Sequence, residues 1–414
     1  MTSTPSDTPN QTETPYLGLA PFLRMSIAGE DLQAVGQDML VKAIVAGDDA
    51  NLLMNLSIAT LCLGQRDLGL AIQNQALALK RVYHLPASEQ PARLRLLMLM
   101  VPGDLSANTP LECLLENSDI DLDLYYVTPQ APLPLTVPVP AHDILLVAMS
   151  ESDENRELLR GLEQVLADWP KPVLNAPQHL PSVGRDVASA LLQNTPGLLM
   201  PPTLRGTRAQ LQAIATGAER LAALFEGCDF PIILRPVGSQ AGRDLAKIEG
   251  PQDIERYLRD VDAGLFYISR FIDYSGQDGF FRKIRVALID GAPFACHMAV
   301  SSKWMVHYVN AGMYEEAWKR EAELAFMTQF ESFVQRHRVA LDAIAQRTRL
   351  DYLCIDCAET RDGQLLVFEI DHAMVVHAMD LQDQFPYKQI HMLKVKNAFR
   401  DLLIRLTAPQ ELNV

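Results

Sequence analysis

Three carboxylates near the C-terminus are spaced for chemistry. Two strand-like runs, Leu350-Asp351-Tyr352-Leu353-Cys354-Ile355-Asp356 and Leu365-Leu366-Val367-Phe368-Glu369-Ile370-Asp371, flank Asp362-Gly363, a strong hairpin signal. A two-residue turn on Asp362 and Gly363 puts Asp356 directly opposite Glu369, and strand alternation puts Asp371 on the same face. Like charges opposed on a sheet destabilise it. A bound Mg²⁺ resolves the conflict, because it takes oxygen ligands and shares them with substrate phosphates. Asp356, Glu369 and Asp371 are therefore the candidate metal ligands. The bland alternative is a wet edge whose carboxylates face solvent, and a slip of one residue would separate the pair.

Cations come from two other segments. In Arg282-Lys283-Ile284-Arg285-Val286-Ala287-Leu288-Ile289, followed by Asp290-Gly291, the apolar residues take one face and Lys283 with Arg285 the other. Such a pair can neutralise phosphate or carboxylate oxygens, or simply form a solvated basic face. Downstream, Lys303, Trp304, His307 and Asn310 make a polar and aromatic set unusual for a plain loop. In Phe230–Gly242 an apolar strand ends in Arg235 and runs into a small-residue loop with Gly238, Ser239 and Gly242. Backbone N–H groups in such a loop can approach phosphate oxygens, although the Gly-Lys-Ser/Thr end of a Walker loop is missing.

Two other signals carry less. Cys354 and Cys357 read as C-x-x-C, but an offset of three on a strand points the sulfurs to opposite faces. His372 and His377 lack the spacing of a zinc protease, which leaves substrate contact or packing.

The elements that must position these residues are mixed. Residues 1–15 are Ser, Thr, Pro, Asn and Asp with little to bury and read as a disordered tail. From Asp31 to about Leu85 apolar residues recur at helical spacing, broken at Gly64-Gln65-Arg66-Asp67 as by a helix-to-helix turn. Residues 55–79 loosely resemble one tetratricopeptide hairpin. No second copy is visible, so the stripe is expected against the body of the protein or in a homodimer contact. After Pro91, short apolar runs at 94–101, 122–127, 144–149 and 172–174 alternate with helical sequence, which predicts an α/β domain with a Pro-rich loop at 129–140. It has no Gly-rich dinucleotide fingerprint.

The chain has 414 residues, with 36 Lys and Arg against 51 Asp and Glu, a formal charge of −15. That balance argues against a broad nucleic-acid surface. No apolar run reaches the ~18–20 residues of a spanning helix, and the N-terminus lacks the pattern of a secretory signal. Six cysteines do not make a disulfide scaffold. A cytoplasmic protein without a membrane or nucleic-acid partner is expected.

Together these pieces resemble the ATP-grasp superfamily of carboxylate–amine ligases, particularly its glutathione-synthetase-like and ribosomal-protein-S6 glutamate-ligase-like branches. The resemblance spans about residues 173–403. It implies a mixed α+β and α/β chain: a tail at 1–15, a helical segment at 16–90, a pre-ATP-grasp α/β domain at 91–205, a nucleotide-binding subdomain at 206–275, and a C-terminal subdomain with the metal hairpin at 276–414. ATP with Mg²⁺ or Mn²⁺ is the implied cofactor. Arg235, Gly238, Ser239, Gly242 and Lys247 would meet phosphates, and Ser269, Arg270, Phe271 and Ile272 would hold adenine. Arg285 would be catalytic at the γ-phosphate or acyl phosphate, and Lys283, Lys303, His307, Asn310 and His372 would face substrate. The implied reaction joins a small-molecule or peptide carboxylate to an amine through an acyl phosphate. Asp371 stands where the family usually has Asn, and Arg235 where it usually has Lys. A member that has lost catalysis, a nucleotide-binding scaffold or sensor whose helical N-terminus recruits partners, is the alternative.

Overall fold

Four helices open the chain: α1 (Leu19–Ala28), α2 (Leu32–Ala46), α3 (Ala50–Cys62) and α4 (Arg66–Leu79). The computed structural model describes residues 14–128, 138–239 and 242–408. Most of the expected tail, most of the Pro-rich loop, and Gln240 and Ala241 of the small-residue loop lie outside the described residues. The tail boundary at residue 15 needs correction. Buried Asn51 and Asn55 on α3 donate to the Thr14 and Pro15 carbonyls at 2.8 and 2.9 Å, and Asn55 accepts from the Leu17 amide at 2.9 Å. Thr14 and Pro15 are thus fixed by the helix they precede. Helices α3 and α4 pack closely because Gly69 has no side chain, and a Cβ there would lie 2.7 Å from Leu61.

The first sheet contains β1 (Val82–Leu85), β2 (Leu94–Met100), β3 (Ile120–Tyr126), β4 (Ile144–Val147) and β5 (Val173–Leu174), in the order β1-β3-β2-β4-β5. All neighbours are parallel except β1, which lies inside the expected helical segment yet pairs antiparallel with β3. Short α5 (Leu111–Leu114) and α6 (Arg156–Leu166) connect the strands. Leu96 and Met98 bury into the core shared with α1, α3 and α4, whereas Leu97 and Leu99 bury on the opposite face with α6. Burial on both faces explains why these strands read as continuous apolar runs. The apolar residues of α1, α3 and α4 that enter this core are buried against the body, as expected, whereas Leu40, Val41, Ile44 and Val45 of α2 are exposed.

A turn of 3₁₀ helix leads into α7 (Arg185–Leu191) and β6 (Leu198–Leu199), which joins the third sheet. The second sheet is antiparallel, with β7 (Thr203–Thr207), β8 (Ile232–Pro236), β9 (Ala246–Ile248) and β10 (Leu265–Arg270) in the order β7-β10-β8-β9. Helices α8 (Arg208–Ala215), α9 (Leu221–Leu224) and α10 (Pro251–Asp260) cover one face through Ile232, Leu234, Phe266 and Ile268. Strand alternation turns Ile233, Arg235, Tyr267 and Ser269 the other way, into a cleft.

The third sheet supplies the opposite wall. It has β11 (Phe281–Ile289), β12 (Ala292–Ser301), β13 (Tyr352–Glu359) and β14 (Leu365–Asp371), in the order β12-β11-β13-β14-β6. Helices α11 (Ala317–Thr328) and α12 (Phe330–Thr348) follow β12, and α13 (Lys388–Thr407) ends the described chain. No helix among the described residues is long and apolar enough to cross a membrane.

Candidate active site

The carboxylate pairing predicted from sequence is present, but it forms by a different route. The β13–β14 turn holds three residues, Arg361 to Gly363, since Glu359 pairs with Leu365 and the Thr360 amide bonds to the Gln364 carbonyl. Gly363 supplies the left-handed φ of +81°. That extra residue would set Asp356 against Phe368. A β-bulge between Asp356 and Cys357 adds a second shift and restores the pairing of Asp356 with Glu369, with Asp371 opposite Cys354. The second hairpin makes the two-residue turn expected, with Asp290 at φ 49° and Gly291 at φ 75°. Cys354 and Cys357 enter different core clusters, as their spacing requires.

The registers align four side chains in one row across four strands: His297 on β12, Arg285 on β11, Asp356 on β13 and Glu369 on β14. Asp356 is only 2% exposed, so the wet-edge alternative does not hold. Arg285 grips it with two bonds, Nε to Oδ1 at 2.8 Å and Nη2 to Oδ2 at 3.0 Å, while Nη1 donates to the Val375 carbonyl at 3.0 Å. Lys283 reaches the same carboxylate at 2.7 Å. Burial pushes the Asp356 carboxyl up, but Arg285 and Lys283 outweigh it and hold the group far below the usual range. Glu369 pairs with Arg185 at the start of α7, and Arg185 with Arg235 likewise overcomes its burial. Burial raises the Asp371 carboxyl, partly opposed by His372.

These pairings bear on the expected metal. Among the described residues no group of three or more His, Cys, Asp and Glu side chains is arranged to hold one. The physical reason is that protein cations already occupy the oxygens of Asp356 and Glu369. The donors are nonetheless all hard oxygens on one face of a sheet. Hard oxygens are the donor type that a magnesium ion takes.

The main cleft lies between the second and third sheets, lined by Arg185, Arg235, Lys283, His307 and Glu369 and by the hinge Ser269, Arg270, Phe271 and Ile272. Arg235 is buried and bonds the Ser239 carbonyl, with Ser239 Oγ 3.3 Å away, so the strand's last cation anchors its own loop. Burial and the nearby Arg185 lower its guanidinium to about 10, which leaves it charged at neutral pH. Gly238 sits at φ +80° in the turn that follows. Gly242 packs on His307, whose Nε2 would lie 2.4 Å from a Cβ there, so the loop after β8 meets the loop after β12 across the cleft.

Other sequence-predicted residues fall elsewhere. Lys247 lies 4.1 Å from the Phe271 ring centroid and 2.8 Å from Glu249, in a neighbouring pocket with Lys303 and Asn310. That puts it at the hinge end rather than beside Arg235. Arg285 does not line the main cleft, whereas Lys283 does. His372 is fully buried with Nε2 3.0 Å from the Met149 carbonyl, so it ties the third sheet to the first and does not face substrate. Another cavity opens at the other end of the row among His297, His377 and Lys388, sharing Lys283 and His307 with the cleft. Arg185, Tyr267 and His297 were not found by sequence reasoning. The row position of His297, fixed by a bulge opposite Arg285 and Val286, has no sequence signal.

No family model matches the chain. Among solved structures, a RimK-domain ATP-grasp protein from Sphaerobacter thermophilus matches at 14% identity and TM-score 0.43, over 75% of this chain and 99% of that one. A D-alanine–D-alanine ligase from Bacillus anthracis complexed with ATP matches at 12% and 0.47, over 76% and 98%. The ATP-grasp ligase PsnB, complexed with a precursor variant, Mg and ADP, matches at 15% and 0.41, over 76% and 98%. All three are likenesses of fold alone. Each leaves about a quarter of this chain unmatched.

Proposed function

We propose that this protein is an ATP-dependent ligase that joins a carboxylate to an amine through an acyl phosphate. The observation that carries the reading is the paired row of Arg285, Asp356 and Glu369, which meets at its Glu369 end, with Lys283 beside it, a cleft whose other wall presents Arg235 and the segment Ser269–Ile272. In this reading adenine lies against Ser269–Ile272, and the phosphates run past Arg235 toward Lys283 and Arg185. Asp356, Glu369 and Asp371 would hold magnesium or manganese, which would supply positive charge against the phosphates.

The substrate carboxylate oxygen attacks the γ-phosphorus, the bond to the β-phosphate oxygen breaks, and ADP leaves. The amine nitrogen then attacks the acyl carbon and releases phosphate and a proton. Lys283 is the cation best placed for the transferring group, because it lines both the cleft and the cavity at the His297 end. Arg285 acts through Asp356, which it holds in orientation. Gly242 packed against His307 would help exclude water, which would hydrolyse the acyl phosphate.

A reading as a non-catalytic nucleotide-binding scaffold draws on one observation, that the carboxylates of the row are already neutralised by protein cations. Turnover by the wild type separates the two, and Lys283→Met then tests the role of this lysine. On the ligase reading kcat falls by about 10²–10³ while Mg-ATP affinity changes little, because the partner charge develops in transfer. A variant with unchanged kcat would remove Lys283 from the chemistry.

A further inference from the structure

Residues 302–316, between β12 and α11, form a strap that borders three spaces. Trp304 and His307 line the main cleft, Lys303 and Asn310 the pocket beside it, and Tyr308 and Tyr314 the cavity at the His297 end. The strap meets the opposite side of the cleft at two points. The Trp304 ring stands edge-on to Phe271 with 5.7 Å between centroids, and the Trp304 carbonyl accepts from the Tyr274 hydroxyl. His307 fills the space that a side chain on Gly242 would need. The tip of the strap is open to solvent, with Val309 84% exposed. Its position therefore depends on how the strap is anchored behind the cleft.

The anchor is a buried group of charges. Tyr308, next to His307, donates its hydroxyl to Glu323 on α11 at 2.8 Å. It accepts from Lys388 at the start of α13, whose ammonium lies 3.9 Å from the Tyr308 ring centroid. Lys388 pairs with Asp380 at 3.0 Å and with Glu323 at 3.5 Å, and all three side chains are buried. Further donors complete the group. Tyr387 and the Met298 amide donate to Glu323 at 2.7 and 3.0 Å, and Tyr314, further along the strap, donates to Asp380 at 2.9 Å. A buried ion triad adds little stability in itself, because apolar residues of similar volume often do as well or better. A well-bonded network does fix the arrangement of its members. These members come from the strap, β12, α11, α13 and the loop after β14, and Lys388 is the cation that both carboxylates share.

We propose that Lys388 is a positioning residue for the strap: acting through Tyr308, it sets His307 against Gly242 and Trp304 against Phe271. The main cleft is thus shaped in part by a charge that does not line it. The position of the strap is independent of the ligase reading; its consequence for nucleotide binding rests on that reading.

The test labels the full chain with 5-fluorotryptophan, whose ¹⁹F spectrum reports on each of the three tryptophans, and Trp304→Phe assigns the signal of interest. Two variants are compared with the wild type, Lys388→Met and Tyr308→Phe, the second of which removes one hydroxyl and keeps the ring. In both, the Trp304 signal should shift and broaden, while that of Trp169, stacked on His142, should stay in place. Amide exchange of residues 303–310 should quicken by about tenfold in both. The thermal midpoint of Tyr308→Phe should stay within about 4 °C of the wild type, so the Trp304 change reports position rather than lost fold. Tyr308→Phe decides the matter even where Lys388→Met folds poorly. A lowered midpoint with the Trp304 signal and the exchange of 303–310 unchanged would make the network merely structural and overturn the proposal. Mg-ATP should bind both variants about tenfold more weakly. Failure of the wild type to bind Mg-ATP would sink the ligase reading and leave the strap result standing.

Discussion

Asp356 is the residue on which the site turns, because two cations meet on one buried carboxylate. Asp356→Asn leaves Arg285 and Lys283 without their counter-charge in a dry setting, and should cost about 3–5 kcal/mol of stability. Glu369→Gln should cost much less, since it also relieves the repulsion across the strand pair. Denaturant melts of the two variants without nucleotide check this, and equal losses would contradict the pairing. Glu112 on α5 behaves in the opposite sense. It is buried, its Oε2 has no partner among the described residues, and burial raises its carboxyl to about 7. Below about pH 4.5 the group is protonated in folded and unfolded chains alike. Between there and pH 7 only the folded state keeps the proton, so stability falls as pH rises. Glu112→Gln should therefore stabilise the protein by about 3 kcal/mol at pH 8 and by little at pH 4.5. Thermal midpoints at the two pH values test it. A gain independent of pH would show that the carboxyl is not titrating as described.

The two hairpins show how much of the site could be read from sequence and where the reading stopped. Asp290-Gly291 made its two-residue turn, and the faces of β11 followed from alternation. Around Asp362-Gly363 the expected turn was one residue too short, yet the opposition of Asp356 and Glu369 survived because the bulge at Phe368 compensates. Bulges leave no periodic trace in sequence, so the pairing was legible and its cause was not. Arg185 was illegible for another reason. It reaches Glu369 across 184 positions from the first turn of a different helix. The four N-terminal helices were legible as an apolar stripe, while the clamps of Asn51, Asn55 and Gln73 on distant backbone were not. Those clamps sharpen the prediction for this segment. Deleting residues 1–85 removes β1 and uncovers Leu96, Met98 and Tyr126, so the 86–414 fragment should aggregate or lose its cooperative melt. A soluble, monomeric fragment that melts cooperatively would make the helices an independent module.

Across the whole molecule three cavities meet along the row from His297 to Glu369. The main cleft shares Lys283 and His307 with one neighbour, and Arg185, Tyr267 and Glu369 with the other. On the proposed reading the second sheet borders the nucleotide, and the third carries the paired charges of Arg285, Asp356 and Glu369. The mixed α+β architecture was legible from the succession of apolar runs and helical stretches. The meeting of the cavities depends on how the sheets pack, which no local pattern encodes. The most direct measurement is the product balance of the full-length protein with Mg-ATP and a pool of amino acids and organic acids. The account predicts ADP and phosphate in equal amounts, with an amide product, only when a carboxylate and an amine are both present. Release of AMP and pyrophosphate, or tight Mg-ATP binding without turnover under every combination, would contradict it.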